Sequence, residues 1–553
     1  MIHTITLNLP LEDEASDSML RTYSAHALGI PRERIYAVKK RRRSLDARSQ
    51  NITVHVRLDV YVDTTPTHEE YYFHSRDVSS AEHVLIIGAG PAGLFAALRF
   101  IELGIKPIIL ERGKDVQARR RDIATLTRQH SVNSDSNYCF GEGGAGTYSD
   151  GKLYTRSTKR GNVRKILETF VAHGASEDIL IEAHPHIGTN KLPSIIAQIR
   201  QSILQSGGEI HFNTRVTDLL LRNNRIEGVH TATEQEFLAQ YVLLATGHSA
   251  RDIFELLQQR RIAIEPKPFA VGLRVEHPQS LIDAMQYHMP TAGTARHALL
   301  PPAAYRWAEQ VYDSHSGKWR GVFSFCMCPG GIIAPCATAP QQIVTNGWSP
   351  SKRNNPYANS GVVVTIDIDD VLSTYAEHGA LAGVRFQQEL EYAAWQAGSV
   401  YGLMQAAPAQ RMVDFVCGKL SDSLPQTSYT PGITSAPLHD ILPSPIAHAL
   451  QQAFTRLSYT MKPYFTNDAV LHGVETRTSS PVRIPRRSDT LEHIHVRGLY
   501  PCGEGAGYAG GIISAAIDGQ RCAEAIYQAL CGKALEKQEL SCNFAPSTRT
   551  SHS

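Results

Sequence analysis

Three glycines open the stretch of this chain with the densest chemistry. In HVLIIGAGPAGLFAALRFIELGIKPIILERG, residues 83–113, Gly88, Gly90 and Gly93 form a GxGxxG run between an apolar strand and a helix. The first glycine permits a tight turn, the second lets a pyrophosphate approach the backbone, and the third lets helix and strand pack closely. The helix start, with Ala89, Pro91 and Ala92 around it, points N–H groups and the positive end of the helix dipole at the phosphates. A second apolar strand, PIIL, ends in Glu111 and Arg112. Glu111 follows Gly93 at close to the roughly 20-residue spacing of a carboxylate that accepts from a ribose hydroxyl. The spacing predicts a dinucleotide site.

Four other groups have reactive side chains. GEGGAGTYSDGKL, residues 141–153, has glycines that let backbone approach a flat ring at Gly144, Ala145 and Gly146. Its Lys152 is either a cation beside that ring or beside an anionic substrate, or else a surface lysine. HPHIGTNKL sets His184 and His186 at i, i+2, near Lys191. With no third ligand at a credible spacing a metal is not expected, and His186 reads as a general acid or as a structural histidine. Cys326 and Cys328 form a CxC, where a disulfide would be strained and therefore labile; Cys328 is the candidate redox thiol, and inert thiols are the alternative. With Cys336 the pair lacks a fourth thiolate for an iron–sulfur cluster. Arg477, Arg483 and Arg486 in ETRTSSPVRIPR can clamp a carboxylate or form salt bridges.

These groups need a scaffold, and the chain's 553 residues suffice for two to four domains. Apolar residues are 42% and charged residues 20%, enough for a sizeable core. The net charge of +2 gives no global pull toward nucleic acid or anionic membrane. No run nears the ~18 apolar residues of a membrane span, and MIHTITLNLPLEDE lacks the pattern of a secretory signal. The nine cysteines are odd in number and sparse, which points to thiols in a reducing compartment and a cytoplasmic location.

Residues 1–78 predict a separate βαββ unit of ferredoxin-like α+β type. Between its last two strands runs KKRRRSLDAR, residues 39–48, which is either a grip for RNA or a solvated hairpin. Residues 82–267 and 465–535 predict two parts of one three-layer α/β Rossmann-type domain. Residues 268–464, rich in Pro, Gly and aromatics, predict an inserted α+β substrate or cap domain. Residues 536–553 predict a polar tail.

The front motif, GAGPAGL followed by ERG, resembles the glutathione-reductase type of flavoprotein. So do TRVTDLLLRNNRIEGV, with Val216 near the adenine, and YVLLATGHSA, with Ala245, Thr246 and Gly247 passing the cofactor. GLYPCGEGAGYAGGIISAAIDGQRCAEAI, residues 498–526, resembles the flavin end of such domains. There the resemblance assigns Gly503 and Glu504 to the ribityl or pyrophosphate contact, with Glu standing where many members have Asp. Gly511 and Ile512 supply backbone near the flavin. CFGEGGAGTYSDGKLYTR, HPHIGTNKL, ATGHSARD, SFCMCPGG and GVETRTSSPVRIPR complete a resemblance to a bacterial family of FAD-dependent dehydrogenases with a small N-terminal domain. It implies FAD and an oxidoreductase acting on a small-molecule substrate, and names no substrate. Disulfide reductases of this fold carry CxxxxC shortly after the first βαβ unit, where this chain has only Cys139. No second glycine fingerprint stands out. NAD(P)H therefore enters without a dedicated Rossmann domain, or the electrons come from the substrate. An RNA-modifying flavoenzyme and a non-catalytic flavin sensor are the alternative readings.

Overall fold

The run at 83–87 is apolar on both faces because both are covered. The computed structural model describes residues 1–67, 69–155, 160–290, 293–314, 316–400 and 404–543, with 533–543 as backbone alone. In it, strand His83–Ile87 is the centre of a five-stranded parallel sheet. The order across that sheet is Leu499–Pro501, Val242–Leu244, His83–Ile87, Lys106–Leu110 and Glu209–His211. Val84 and Ile86 pack into one cluster with helices Pro91–Leu103, Leu192–Gln205 and Ile512–Asn543. Leu85 and Ile87 face the opposite cluster, with helix Arg251–Gln259 and the antiparallel strands Val216–Arg222 and Arg225–Thr231. Alternate residues serving opposite faces is the period-two geometry of a strand. The result is a mixed α/β unit in which sequence-distant segments, 83–110 and 499–501, share one sheet.

A second, seven-stranded sheet runs Ala308–Asp313, Lys318–Cys328, Tyr357–Ile366, Phe269–Pro278, Val470–Glu475, Ala407–Arg411, Ile433–Ser435. Its strands pair antiparallel, except that Ala407–Arg411 and Ile433–Ser435 run parallel. Strand Val470–Glu475 lies inside this sheet, so the boundary expected at 464 falls short by at least one strand. Its residues are buried between paired strands on both sides, and the turn cluster TSSP at 478–481 follows it. Between Phe325 and Cys328 the pairing with Tyr357–Ile366 shifts register, and Cys326 takes a left-handed φ of 47°.

At the N-terminus, strands Ile2–Pro10, Thr53–Val62 and Ile35–Asp46 form an antiparallel sheet in that spatial order, with helix Asp17–Leu28 following the first strand in sequence. The basic run 39–48, expected between strands, lies mostly within Ile35–Asp46. At the other end, helix Ile512–Asn543 continues past the expected tail start at 536; residues 544–553 of that tail lie outside the described residues.

Candidate functional site

Both fingerprints open onto one cavity of about 410 Å³. Its floor is the strand–turn–helix at Gly88. That glycine has φ 104°, and a Cβ there would stand 2.5 Å from the Ala245 carbonyl. Gly93 serves packing, not contact: a Cβ on it would meet the Gly88 carbonyl at 2.0 Å. Ala89 is also outside the lining, and its N–H donates to Glu111 Oε2 at 2.8 Å. Glu111 Oε1 accepts from the N–H groups of Gly113 and Gly141, both at 2.9 Å. Three of the roughly four acceptor positions of the carboxylate are therefore filled by backbone, and one is left for a ligand hydroxyl.

The cavity walls bring together most of the residues expected from sequence. Gly90, Pro91, Ala92, Glu111, Arg112 and Val216 line it. So do Ala245, Thr246 and Gly247, with Gly144 and Ala145. Gly503, Glu504, Gly511 and Ile512 line it too, and a Cβ on Gly503 would stand 3.0 Å from the Ala92 Cβ. Much of this wall is bare backbone: a Cβ on Gly247, Gly510 or Gly511 would meet no atom within 4 Å. Arg112 is held by Asp135 and Asp252 at 2.9 Å and stacks over the Phe140 ring at 4.2 Å.

The acid that fastens the 503–512 turn is Asp518. Its Oδ2 accepts from the Gly503 N–H at 2.8 Å, and both oxygens pair with Arg486. Cys502, Asp518 and Cys522 lie close enough together for a metal. Arg486 supplies the cation there, donating to Asp518 and to Cys522 Sγ at 3.4 Å. Glu504 faces the cavity, 28% exposed, and the nearest cation-forming atom paired with it is His248 Nε2 at 3.8 Å. Burial pushes its carboxyl up to about 7, with Lys267 opposing. His248 is held neutral, down to about 3, by burial and then by Arg477, Arg251 and Lys267. No role was expected of His248 from sequence, although its place directly after ATG was a usable signal.

The candidate catalytic residues separate. Lys152 lines the cavity, 35% exposed. His186 does not: its Nε2 meets the Ser351 carbonyl at 3.2 Å, and its strand segment bridges Lys152 through backbone. Cys328 is also off the wall, fully buried, and the thiol on the wall is Cys326. The register shift decides this, because a CxC on a regular strand would present both side chains to one face. Arg477 lines the cavity, but Glu391 takes its guanidinium at 3.0 and 3.1 Å, and takes Arg251 at 2.7 and 2.8 Å. The anion expected for that arginine is thus the chain's own. Arg483 is exposed.

Four of the five consecutive basic residues have acidic partners within the chain, and Arg42 is exposed. Lys39 pairs with Glu69, Lys40 and Arg43 with the buried Glu14, and Arg41 with Asp59 and Glu69.

Comparison with known proteins adds the lineage. Residues 268–478 match the family model described as FAD-dependent protein, C-terminal domain-like, and residues 1–61 match a domain of unknown function. An uncharacterized protein of Clostridium beijerinckii is 36% identical over 543 residues, covering 94% of this chain and 98% of that one. A thiamine thiazole synthase of Aeropyrum pernix is 26% identical over 203 residues, covering 34% of this chain and 63% of its own. Among solved structures, a flavin-dependent brominase aligns over 81% of this chain and 80% of its own, at 13% identity and a TM-score of 0.33. The identity across nearly the whole of both chains places this chain in one family with the clostridial protein, a family of FAD-dependent proteins by the model that matches residues 268–478.

Proposed function

We propose that the protein is an FAD-dependent oxidoreductase that passes hydride or electrons between flavin N5 and a small-molecule substrate. The observation that carries this reading is the convergence of the 88–93 turn and the 503–512 turn on one cavity with bare backbone walls. A dinucleotide suits those walls, because phosphates and a flat ring need close backbone and free N–H groups more than they need side chains.

Each part of the cofactor would have its own residues. Gly88, Gly90 and the helix start at Pro91 and Ala92 would take the diphosphate. Glu111 would accept from the adenosine ribose with its remaining acceptor position, and Val216 backbone would bracket the adenine. Ala245, Thr246 and Gly247 would flank the centre. Gly503 would lie at the ribityl or pyrophosphate, and Gly511 with the start of helix Ile512–Asn543 would face the pyrimidine end, where N–H groups favour negative charge. Bound FAD supplies two-electron transfer at its ring.

The chain's own groups would prepare the substrate. Glu504, with its carboxyl near 7, can donate or accept a proton at neutral pH. His248 is neutral beside it and can accept a hydrogen bond. Lys152 keeps its charge: burial alone would lower it, but Asp150 and the two thiols hold it above its usual range. It would orient an anionic group of the substrate. The same reading makes the unit around 268–464, extended through Glu475, a cap over the reactive face, and residues 1–78 an accessory unit of ferredoxin-like type. A cytoplasmic location and NAD(P)H as electron donor belong to the same proposal. Among the described residues no helix is long and apolar enough to cross a membrane.

The visible spectrum of the purified protein is the test. A flavin band that survives desalting, released by denaturation as FAD, supports the reading. A colourless protein that takes up no added FAD ends it. Anaerobic NADPH or NADH that bleaches the band identifies the donor; an unaffected band removes the nicotinamide part of the proposal.

A further inference from the structure

The chemistry left unassigned lies on the cap side of the cavity, around the two thiols of SFCMCPGG. Both are free. Cys326 lines the cavity, and Cys328 lies directly behind it with no exposure. Cys328 Sγ donates to the Cys326 carbonyl at 3.3 Å. Lys152 Nζ reaches both sulfurs, at 3.8 Å to Cys326 and 3.5 Å to Cys328. Arg274, fully buried, donates to Cys328 Sγ at 3.5 Å and to the Cys326 carbonyl at 2.8 Å.

A fully buried guanidinium and a half-buried ammonium on one sulfur pair is a costly arrangement unless it stabilises an anion there. The neighbouring acids do not fully supply that anion. Asp150 is shared between Lys152 and Arg353, which overcome its burial and keep it ionised. Glu475 sits 3.4 Å from Arg274, but burial pushes its carboxyl up to about 7 and its Oε2 has no hydrogen-bond partner. Cys326 therefore takes negative charge: its thiol is held well below the usual range by the Cys328 hydrogen bond and then by Lys152 and Arg274. Cys328 is held up by burial and by its neighbour, and keeps its proton. His186, Glu504 and Tyr305 also face this cluster: burial lowers the His186 imidazole and raises the Glu504 carboxyl and the Tyr305 phenol, so each favours its neutral form. The scaffold is specific to the arrangement. A Cβ on Gly347 would stand 1.9 Å from Arg274 Nη2, so that strand residue leaves room for the guanidinium. The left-handed backbone at Cys326 is a strained conformation of a kind that gathers at functional sites.

We propose that Cys326 and Cys328 are a dithiol–disulfide exchange pair that acts on a disulfide substrate entering this cavity. The Cys326 thiolate attacks one sulfur of the substrate, forming a mixed disulfide and releasing the other half as a thiolate. The Cys328 proton passes to that released thiolate, and the Cys328 sulfur attacks the Cys326 sulfur, releasing the second half as a thiolate that takes a proton from solvent. One substrate disulfide becomes two thiols, and the enzyme holds a Cys326–Cys328 disulfide. Returning that disulfide to two thiols takes two electrons and two protons from a reductant, which under the proposed function is reduced FAD. The inference rests on that reading only for this return step; the exchange itself needs none.

The test uses full-length protein whose visible spectrum has first been recorded, so that loss of flavin and loss of exchange are read separately. The reduced protein is mixed with 5,5′-dithiobis(2-nitrobenzoate), an anionic disulfide, and peptides are mapped without reduction. The expected result is rapid release of two nitrothiobenzoates with a Cys326–Cys328 disulfide in the map. Cys328→Ser should release one and retain the mixed disulfide on Cys326. Lys152→Met should slow the rapid phase about tenfold near neutral pH and move its pH midpoint upward, as a one-unit rise in thiol pKa would. Peptide mapping of the wild-type protein decides the matter even where a variant fails to fold. Reaction confined to Cys139 or to the exposed Cys417 and Cys531, with Cys326 unmodified, overturns the proposal. So does a rapid phase whose pH midpoint is the same with and without Lys152.

Discussion

At the scale of single residues, burial and hydrogen bonding decide what each ionisable group does, and sequence shows only its type. Glu391, Arg251 and Arg477 make the point: the arginine was readable as an anion clamp, but its anion arrives from a helix more than eighty residues away in the chain. Glu276 makes it in a measurable way. It is 2% exposed, its oxygens accept from the Ser428 N–H and hydroxyl, and burial raises its carboxyl from 4.5 to about 7. The folded state thus holds a proton that the unfolded chain releases between those values. The stability tied to that proton is fully present below pH 4.5 and is lost as pH rises through 7, with a span on the order of 3 kcal/mol. Glu276→Gln keeps the shape and has no proton to lose. Denaturant midpoints of both proteins at pH 5 and pH 8 should therefore show wild type losing ground to the variant at the higher pH. A constant gap between them would mean the carboxyl is ionised throughout. Buried histidines such as His277 and His472, held down to about 4 by burial, act in the opposite direction below pH 6.5 and cancel in this comparison.

At the scale of elements, the parts of the site that were legible are those set by local rules. GxGxxG between an apolar strand and a helix fixes its own turn, and the Glu111 spacing follows from one strand and one helix. The bulge that puts Cys326 rather than Cys328 on the cavity depends on pairing with a strand more than thirty residues later, and no local signal marks it. The same holds for Gly519, which sits in an ordinary helical stretch. A Cβ there would stand 2.1 Å from the Ala92 carbonyl, where helix Ile512–Asn543 crosses the start of helix Pro91–Leu103. Gly→Ala in a helix gains up to about 1 kcal/mol of propensity, and overpacking costs about 1–3 kcal/mol, so the clash should win. Gly519→Ala should then displace the glycine turn it rests on, lower the thermal midpoint and shed flavin absorbance on desalting, although residue 519 is not in the cavity. Gly532→Ala, in the same helix with no atom within 4 Å of its Cβ, should raise the midpoint slightly and keep the flavin. Equal behaviour of the two variants would show that the crossing yields.

At the scale of the whole molecule, the N-terminal unit is tied to both others. Its strand residues Val54, Val56 and Val60 share a hydrophobic cluster with Val271 and Val362 of the seven-stranded sheet. Arg43 bridges to the flavin side: its N–H donates to the Ile181 carbonyl, its carbonyl accepts from Ala183, and its guanidinium reaches Glu182 at 3.3 Å. The run KKRRR is conspicuous in sequence because it is unbroken, but its counter-charges come from four separate segments that no local reading could collect. If the run serves architecture, the double variant Lys40→Gln/Arg43→Gln strands Glu14, 4% exposed, without a cation. Breaking a buried pair typically costs several kcal/mol; with both basic partners partly exposed, a loss of about 2–4 kcal/mol in unfolding free energy is expected. Any affinity for single-stranded RNA, and the slope of that affinity against salt, should stay where it was. If the run served RNA, the outcome would invert: stability nearly unchanged, and the salt slope reduced by about one for each phosphate no longer neutralised. One pair of titrations, denaturant and salt, on the same two proteins therefore separates a joint between domains from a nucleic-acid grip.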